Sequence, residues 1–225
     1  MGQVFDLNSW LEQFQEKLIQ LFGTRLRFFG LQGSYGRGEQ TTTSDIDVVI
    51  ILDEVCFDDL QAYRKLLDSM DRCELICGFV AGERELRGWE RSDLLQLVWD
   101  TKPIIGSLEY LRPLFSGEDI RRAVLTGAGN LYHACSHNFL HARDREVLVG
   151  LYKAARFTVR MKHFQETGDY IASMNRLAEH VSAMDRRILK AIALTDDAAN
   201  EDLFAAASRE LLEWASGVIQ KCGII

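Results

Sequence analysis

Hydrophobic and polar positions alternate differently in the two halves of this chain. In the first half, residues 7–22 and 58–70 carry apolar side chains at helical spacing, which predicts two helices. Residues 25–31, 45–52 and 74–80 are shorter apolar runs that predict three strands. The first half should therefore form a small sheet with helices packed on it.

The second half has a helical pattern almost throughout. Apolar periodicity runs through residues 119–141, 145–166, 170–192 and 199–220, which predicts four antiparallel helices in a bundle. Strands confined to the first half and helices dominating the second predict an α+β protein, a small mixed β-sheet followed by a C-terminal helical bundle. We place the domains at residues 1–115 and 116–225.

One segment of the sheet region carries candidate chemistry. Gly33-Ser34-Tyr35-Gly36-Arg37-Gly38 is a loop of small residues whose backbone N–H groups could surround an anion. Asp45 and Asp47 follow at the head of an apolar run, and their i, i+2 spacing places both on one face of a strand. Two adjacent carboxylates repel each other unless a cation is present, and Mg²⁺ prefers carboxylates together with substrate phosphates. The segment predicts a site for a metal-bound triphosphate.

The alternative is that these residues only shape a turn. Glycine-rich turns before strands are common, and Asp45 could simply end one, because aspartate is a favoured turn residue. Asp47 argues against this alternative, since an unpaired carboxylate within an apolar run is costly to bury.

The same residues resemble a known signature. Gly33-Ser34, Arg37 and the stretch from Ser44 to Val49 resemble the motif of the nucleotidyltransferase superfamily typified by DNA polymerase beta. The resemblance covers residues 28–52 and implies a nucleotidyltransferase catalytic domain at 1–115. It also implies that Gly33, Ser34, Arg37 and Ser44 bind the nucleotide, while Asp45 and Asp47 hold magnesium, with two ions expected. The Gly-Lys-Ser/Thr ending of a Walker A loop is absent.

A nucleotidyl transfer site usually needs a third carboxylate, to ligate metal or to accept the proton of the attacking hydroxyl. Glu74, flanked by apolar residues in the predicted third strand, is our candidate for both roles. The alternative is that Glu74 only begins that strand at its solvent edge. Glu83, Glu85 and Asp100 are the other candidates for the third carboxylate.

The helical half contains a second candidate group. Lys153, Arg156 and Arg160 are spaced i, i+3, i+7, which predicts one basic stripe along a helix. Such a stripe is usually a solvated surface. Opposite a metal-bound triphosphate, Lys153 and Arg160 could instead neutralise phosphate charge, so we include both among the nucleotide-binding residues.

A further resemblance narrows the function. Arg160, Thr167-Gly168 and Ser173 resemble the C-terminal helical segment of streptomycin/spectinomycin adenylyltransferases, and kanamycin nucleotidyltransferase has the same two-part plan. Glu74 stands where the former family places its third acid. The chain departs from that family at Met174, where a lysine is usual, and this leaves the acceptor open.

Composition limits the partners. The formal net charge of −7 argues against broad binding of nucleic acid, which normally requires a basic surface. No stretch is apolar for long enough to span a membrane, and no secretory signal is apparent, so we expect a cytoplasmic protein. Five scattered cysteines are expected to be reduced and buried.

These observations predict an Mg²⁺-dependent enzyme that transfers a nucleoside monophosphate from an NTP, most simply ATP, to a hydroxyl of a small molecule. An aminoglycoside-like acceptor fits the acidic net charge, because a polycation is drawn to a negative cleft. Two alternatives stay open: a nucleotidyltransferase that modifies a protein, and a catalytically weak module that senses nucleotide or binds a partner. The oligomeric state is not predicted.

Overall fold

The computed structural model describes residues 5–42, 44–190 and 201–223. The chain divides into two compact units, one formed by residues 1–90 and 96–113, the other by residues 91–95 and 114–225. We call them the sheet unit and the helical unit.

The sheet unit contains a mixed four-stranded sheet in the order β3-β2-β1-β4. Strand β1 pairs antiparallel with both β2 and β4, whereas β2 and β3 run parallel. The strands are β1 Leu26–Leu31, β2 Ile46–Leu52, β3 Ile76–Gly82 and β4 Lys102–Ile105. Strand β2 is central and β-branched, and all but its second residue are buried, as expected of a strand covered on both faces.

The predicted first helix and first two strands are confirmed within one residue. Helix α1 buries Trp10, Phe14, Leu18 and Phe22, whose i, i+4 spacing forms one apolar face. That face packs in one hydrophobic cluster with alternate residues of β2 and with α3. The helices of this unit are α1 Leu7–Phe22, α2 Gly33–Arg37, α3 Phe57–Asp68, α4 Glu83–Gly88 and the last part of α5 Arg91–Asp100.

The helical unit confirms the predicted helices at 119–141, 145–166 and 199–220 with small shifts of their ends. Its helices are α6 Gly117–His137, extended by a π-helical turn over Asn138–Ala142, α7 Arg145–Thr167, α8 Met174–His180, α9 Ala183–Lys190 and α10 Glu201–Cys222. The junction of the predicted third and fourth helices, residues 191–200, lies outside the described residues.

The prediction of one continuous third helix over 170–192 is wrong. Residues 169–173 are not helical, and two short helices follow instead. Ser173 begins α8 because its hydroxyl accepts the backbone N–H of Arg176. Ser182 separates α8 from α9, since its hydroxyl accepts the N–H of Asp185 at 3.1 Å.

The predicted α+β class is confirmed by this mixed sheet and the helices that follow it. The third strand begins later than predicted, at Ile76, because Cys73–Leu75 form a 3₁₀ turn. No helix among the described residues is long and apolar enough to cross a lipid bilayer.

Candidate active site

The candidate site begins at the turn that follows strand β1. Gly33 has a left-handed φ of 66° and opens the short helix α2, and Gly38, at φ 71°, ends it. Glycine is favoured at both positions because other residues rarely adopt positive φ. The turn is tied to strand β2, since the N–H of Gln32 donates to the carbonyl of Asp47 at 2.8 Å.

The two aspartates lie at the start of strand β2. Asp45 is exposed and directly precedes the strand, and Asp47 is half-buried within it. Ile46 and Val48 point into the hydrophobic cluster, so the aspartates share the opposite face. A Cβ added at Gly33 would overlap the carboxylate of Asp47. The structure therefore brings the glycine turn, residues 33–38, and the acid pair, Asp45 and Asp47, together, as the sequence predicted.

Asp47 is electrostatically destabilised in its charged form. Burial is the main cause of its raised pKa, the neighbouring charge of Asp45 adds to the increase, and the cation of Arg37 opposes it. A divalent cation would remove the repulsion between the two carboxylates, so this pair fits Mg²⁺. Among the residues that the structure describes, no group of three or more His, Cys, Asp or Glu side chains is placed to hold a metal.

Arg37 lies between two further carboxylates. Its Nε donates to Glu39 at 3.0 Å and its Nη1 to Asp100 at 2.8 Å. The side chain of Asp100 is completely buried, and that of Arg37 is 15% exposed. The sequence did not predict this contact, because Asp100 is 63 residues away from Arg37 along the chain.

Ser34 is the second residue of α2, and Ser44 lies in the loop that joins α2 to β2. The carbonyl of Ser34 accepts the N–H of Glu39 at 2.8 Å. The hydroxyl of Ser44 accepts the N–H of Thr41 at 2.9 Å, so Ser44 closes the turn directly before Asp45. Ser44 thus directly precedes the acid pair, whereas the contact of Ser34 ties α2 to the start of the loop.

The candidates for the third carboxylate lie at different ends of the sheet. Glu74 is exposed in the 3₁₀ turn two residues before Ile76, which pairs with Ile46 of strand β2. Glu74 therefore lies at the same end of the sheet as Asp45. Glu83 and Glu85 follow the other end of β3, about 20 Å further along a seven-residue strand.

Sequence reasoning missed Cys77, which is the partner of Asp47 in the parallel pairing of β2 and β3. Register between distant strands cannot be determined from spacing alone, so no sequence signal identified it. Cys77 is exposed, as are Cys56 and Cys73, and the expectation of buried cysteines holds only for Cys135.

The predicted basic stripe is not one exposed surface. Lys153 is exposed on α7, whereas Arg160 is 2% exposed. The guanidinium of Arg160 donates to the carbonyls of Ile171 and Ala172 at 3.1 and 2.7 Å. These bonds satisfy the backbone of the non-helical segment, which accounts for a buried arginine in the helical unit.

Comparisons with known proteins agree with this geometry. Residues 11–110 match the model of the family described as "Nucleotidyltransferase domain". No curated protein sequence matches the chain. The matched region contains the glycine turn, both aspartates and Asp100.

A solved structure shares the fold. Spectinomycin adenyltransferase AAD(9) from Enterococcus faecialis is 17% identical and has a TM-score of 0.58, with 94% of this chain and 100% of that one covered. A nucleotidyltransferase-like protein from Exiguobacterium sibiricum is 11% identical with a TM-score of 0.38, over 94% of this chain and 75% of that one.

Residues 11–110 of this chain thus resemble a nucleotidyltransferase domain, as predicted, and the fold is similar to that of an adenylyltransferase.

Proposed function

We propose that this protein transfers a nucleoside monophosphate from a magnesium-bound NTP, with ATP as the donor, to a hydroxyl group of a small molecule. The observation that carries the proposal is the contact between the glycine turn and the acid pair. Gly33 leaves no room for a side chain beside the Asp47 carboxylate. A triphosphate on the turn would thus adjoin the carboxylates that hold its metal.

The residues of the sheet unit have distinct parts in this proposal. Asp45 and Asp47 would hold Mg²⁺, for which the pair of carboxylates is suited. When bound, the metal neutralises charge on the phosphates and on the leaving pyrophosphate. The first N–H groups of helix α2, at Gly33 and Ser34, have no acceptors within that helix and would bind the phosphates. Ser44 would keep Asp45 in place through the turn that it closes.

Glu74 is the proposed base for the acceptor hydroxyl. It lies at the same end of the sheet as Asp45, whereas Glu83 and Glu85 follow the opposite end of β3 and Asp100 is bonded to Arg37. An acceptor hydroxyl that loses its proton to Glu74 can attack the α-phosphorus and release pyrophosphate. Positioning and charge neutralisation would supply most of the rate enhancement.

The helical unit contributes less to the proposal. Lys153 stays a predicted nucleotide contact, and its exposure makes it accessible to a ligand. Arg160 was predicted for the same role, but we assign it to holding residues 171 and 172, because its guanidinium bonds to their carbonyls. Unchanged turnover in a Lys153→Ala variant would show that Lys153 does not contact the nucleotide.

An aminoglycoside-like acceptor is the first class to test. The protein of similar fold was solved with ATP and spectinomycin, and a net charge of −7 would attract a cationic acceptor. The decisive experiment incubates the protein with Mg²⁺ and ATP labelled in its α-phosphate, and offers aminoglycosides, lincosamides and cell extract as acceptors. The double variant Asp45→Asn, Asp47→Asn is the control for background labelling.

We expect label on a small molecule, dependent on both aspartates and on divalent metal. The melting temperature should also rise with MgATP. At a hundredfold excess over Kd, binding stabilises the folded state by about 2.7 kcal/mol. Label chiefly on a protein would overturn the small-molecule acceptor and support the protein-modifying alternative. A melting temperature indifferent to all four NTPs in Mg²⁺, without transfer, would overturn the enzyme itself.

A further inference from the structure

The contacts of Arg37 point to a role for Asp100, a buried acid outside the metal pair. Arg37 lies in the glycine turn, and its guanidinium is held from two sides by Glu39 and Asp100. The two bonds use two of the five N–H donors of a guanidinium, one on Nε and one on Nη1. Arginine forms a rigid planar fork, so these two bonds determine the direction of its remaining N–H groups.

The position of Asp100 is unfavourable on its own. Its side chain is completely buried, and it is the last residue of helix α5, where the helix dipole disfavours a negative charge. A carboxylate is retained in such a place only when a cation and hydrogen bonds compensate for it. The bond from Arg37 to Oδ2 at 2.8 Å provides the cation and one such hydrogen bond.

The end of α5 is attached to the glycine turn by a second contact. The side-chain amide of Gln32 donates to the carbonyl of Gln96 at 3.3 Å. Gly36 lies beside Asp100 as well, since a Cβ added there would come within 3.7 Å of the Asp100 carbonyl. Asp100 therefore acts on Arg37 from an element that is already packed against the turn.

The charge of Arg37 reaches the acid pair. Its guanidinium is one of the groups that influence the carboxyl of Asp47. Arg37 also lies in helix α2, whose first residue Gly33 adjoins the Asp47 carboxylate, and its remaining N–H donors match phosphate oxygens in geometry and charge.

We propose that Asp100 is a positioning residue for the nucleotide: its buried carboxylate holds the guanidinium of Arg37 in the orientation that binds the triphosphate. Asp100 is thus not the third metal ligand. Glu39, whose side chain is 20% exposed, holds the same guanidinium more weakly because water screens the pair. This inference rests on the proposed function, since it requires a nucleotide at the turn.

The test is a double-mutant cycle on nucleotide affinity. The Kd of MgATP is measured by titration calorimetry, well below the melting temperature, for the wild type, Asp100→Asn, Arg37→Gln and the double variant. We expect Asp100→Asn to weaken binding about tenfold, the size of a lost charge-assisted contact. In the Arg37→Gln background, Asp100→Asn should cause no further loss, because Asp100 acts only through Arg37.

Asp59→Asn is the matched control. Asp59 is also a buried acid of the sheet unit, and it pairs with Arg25 at 2.7 Å. Its loss should lower the melting temperature without changing the Kd of MgATP, so it shows what a structural role alone does. If Asp100→Asn does not fold, the double variant should fold better, since it leaves neither charge buried alone, and its Kd is then compared with that of Arg37→Gln.

The outcomes separate the two proposals. If the wild type binds none of the four NTPs in Mg²⁺, the proposed function fails and this inference fails with it. If the wild type binds and Arg37→Gln weakens binding, the nucleotide site of the proposed function stands. An unchanged Kd in Asp100→Asn, or additive losses in the double variant, would then overturn the role of Asp100 alone.

Discussion

The two ends of strand β2 carry aspartates in opposite electrostatic situations. At the end of the strand, Arg25 bonds Asp53 at 3.2 Å and forms a two-pronged contact with Asp59 at 2.7 and 2.9 Å. The hydrogen bond from Arg25 is the main cause of the low pKa of Asp59, which lies well below its usual range. Negative charge at this end is matched and stabilises the fold.

At the start of the strand, acids outnumber the cation. Asp45 and Asp47 adjoin each other, and the cation that acts on Asp47, Arg37, is already bonded to Glu39 and Asp100. Burial and repulsion raise the pKa of Asp47 here, whereas the pKa of Asp59 is lowered. Perturbed acids of this kind cluster at functional sites, because a ligand completes the charge balance that the protein leaves open.

The largest expected difference between the two ends is catalytic. Asp45→Asn and Asp47→Asn should each reduce nucleotidyl transfer by roughly a thousandfold, since several kcal/mol of charge stabilisation by the metal are lost. The substitution preserves shape, so the fold should be intact. Pyrophosphate release measured beside circular dichroism tests both statements.

Asp59→Asn is the control at the other end of the strand, and its turnover should stay within about twofold of the wild type, as a residue outside the site. Activity that survives Asp47→Asn would show that the excess of acid at the start of β2 is not a metal site.

A smaller effect is expected from the glycine turn. Gly33→Ala should lower transfer by about ten- to a hundredfold, because the new methyl group would displace the carboxylate of Asp47, and small displacements at a reacting centre are costly. Gly38 also has positive φ, but a Cβ there would meet nothing within 4 Å. Steady-state kinetics of the two alanine variants measure the loss of transfer with and without displacement of the Asp47 carboxylate.

Both alanine variants should lose similar stability, on the order of 1–2 kcal/mol, from the left-handed backbone. Gly38→Ala is expected to keep nearly full activity. Equal losses of activity in the two variants would mean that backbone strain, and not contact with Asp47, explains the effect of Gly33→Ala.

The smallest effects are on stability, and they should have opposite signs. In EDTA at neutral pH, Asp47→Asn should raise the melting temperature by a few degrees, since it removes a carboxylate destabilised by burial and by Asp45. Asp59→Asn should lower it by a few degrees, a modest loss because the Arg25 side chain is 38% exposed. Differential scanning calorimetry distinguishes them.

The pH dependence of the Asp59 variant has a definite direction. The folded-state pKa of Asp59 is below its ordinary value of 3.8, so the contribution of its carboxylate is fully present above that value. It is lost as pH falls further, towards the folded-state pKa. The gap in melting temperature between wild type and Asp59→Asn should therefore be constant near neutrality and close in acid; a gap that stays open would contradict the pairing with Arg25.

The elements predicted correctly depend on local patterns. The i, i+4 spacing of Trp10, Phe14, Leu18 and Phe22 specifies one buried helix face, and the β-branched run of β2 specifies a covered strand. The placement of Asp45 and Asp47 on one face follows from the period of two in a strand. The helix face, the covered strand and the acid pair could be predicted because each is determined within a few residues.

The predictions that failed depend on contacts between distant residues. The segment before α8 is non-helical where its carbonyls bond to Arg160, 11 and 12 residues earlier in the chain. That bond also removes Arg160 from the surface, so the basic stripe was wrong for the same reason. No periodicity records which buried cation will meet which backbone carbonyl.

The sequence by itself determined the α+β class, the glycine turn and the acid pair, because turn chemistry and side-chain alternation are local properties of the chain. Only the tertiary structure decided that Arg37 meets Asp100, that Cys77 pairs with Asp47, and that Glu74 lies at the same end of the sheet as Asp45. Strand register and helix packing set these contacts, and both arise from burial of the whole core.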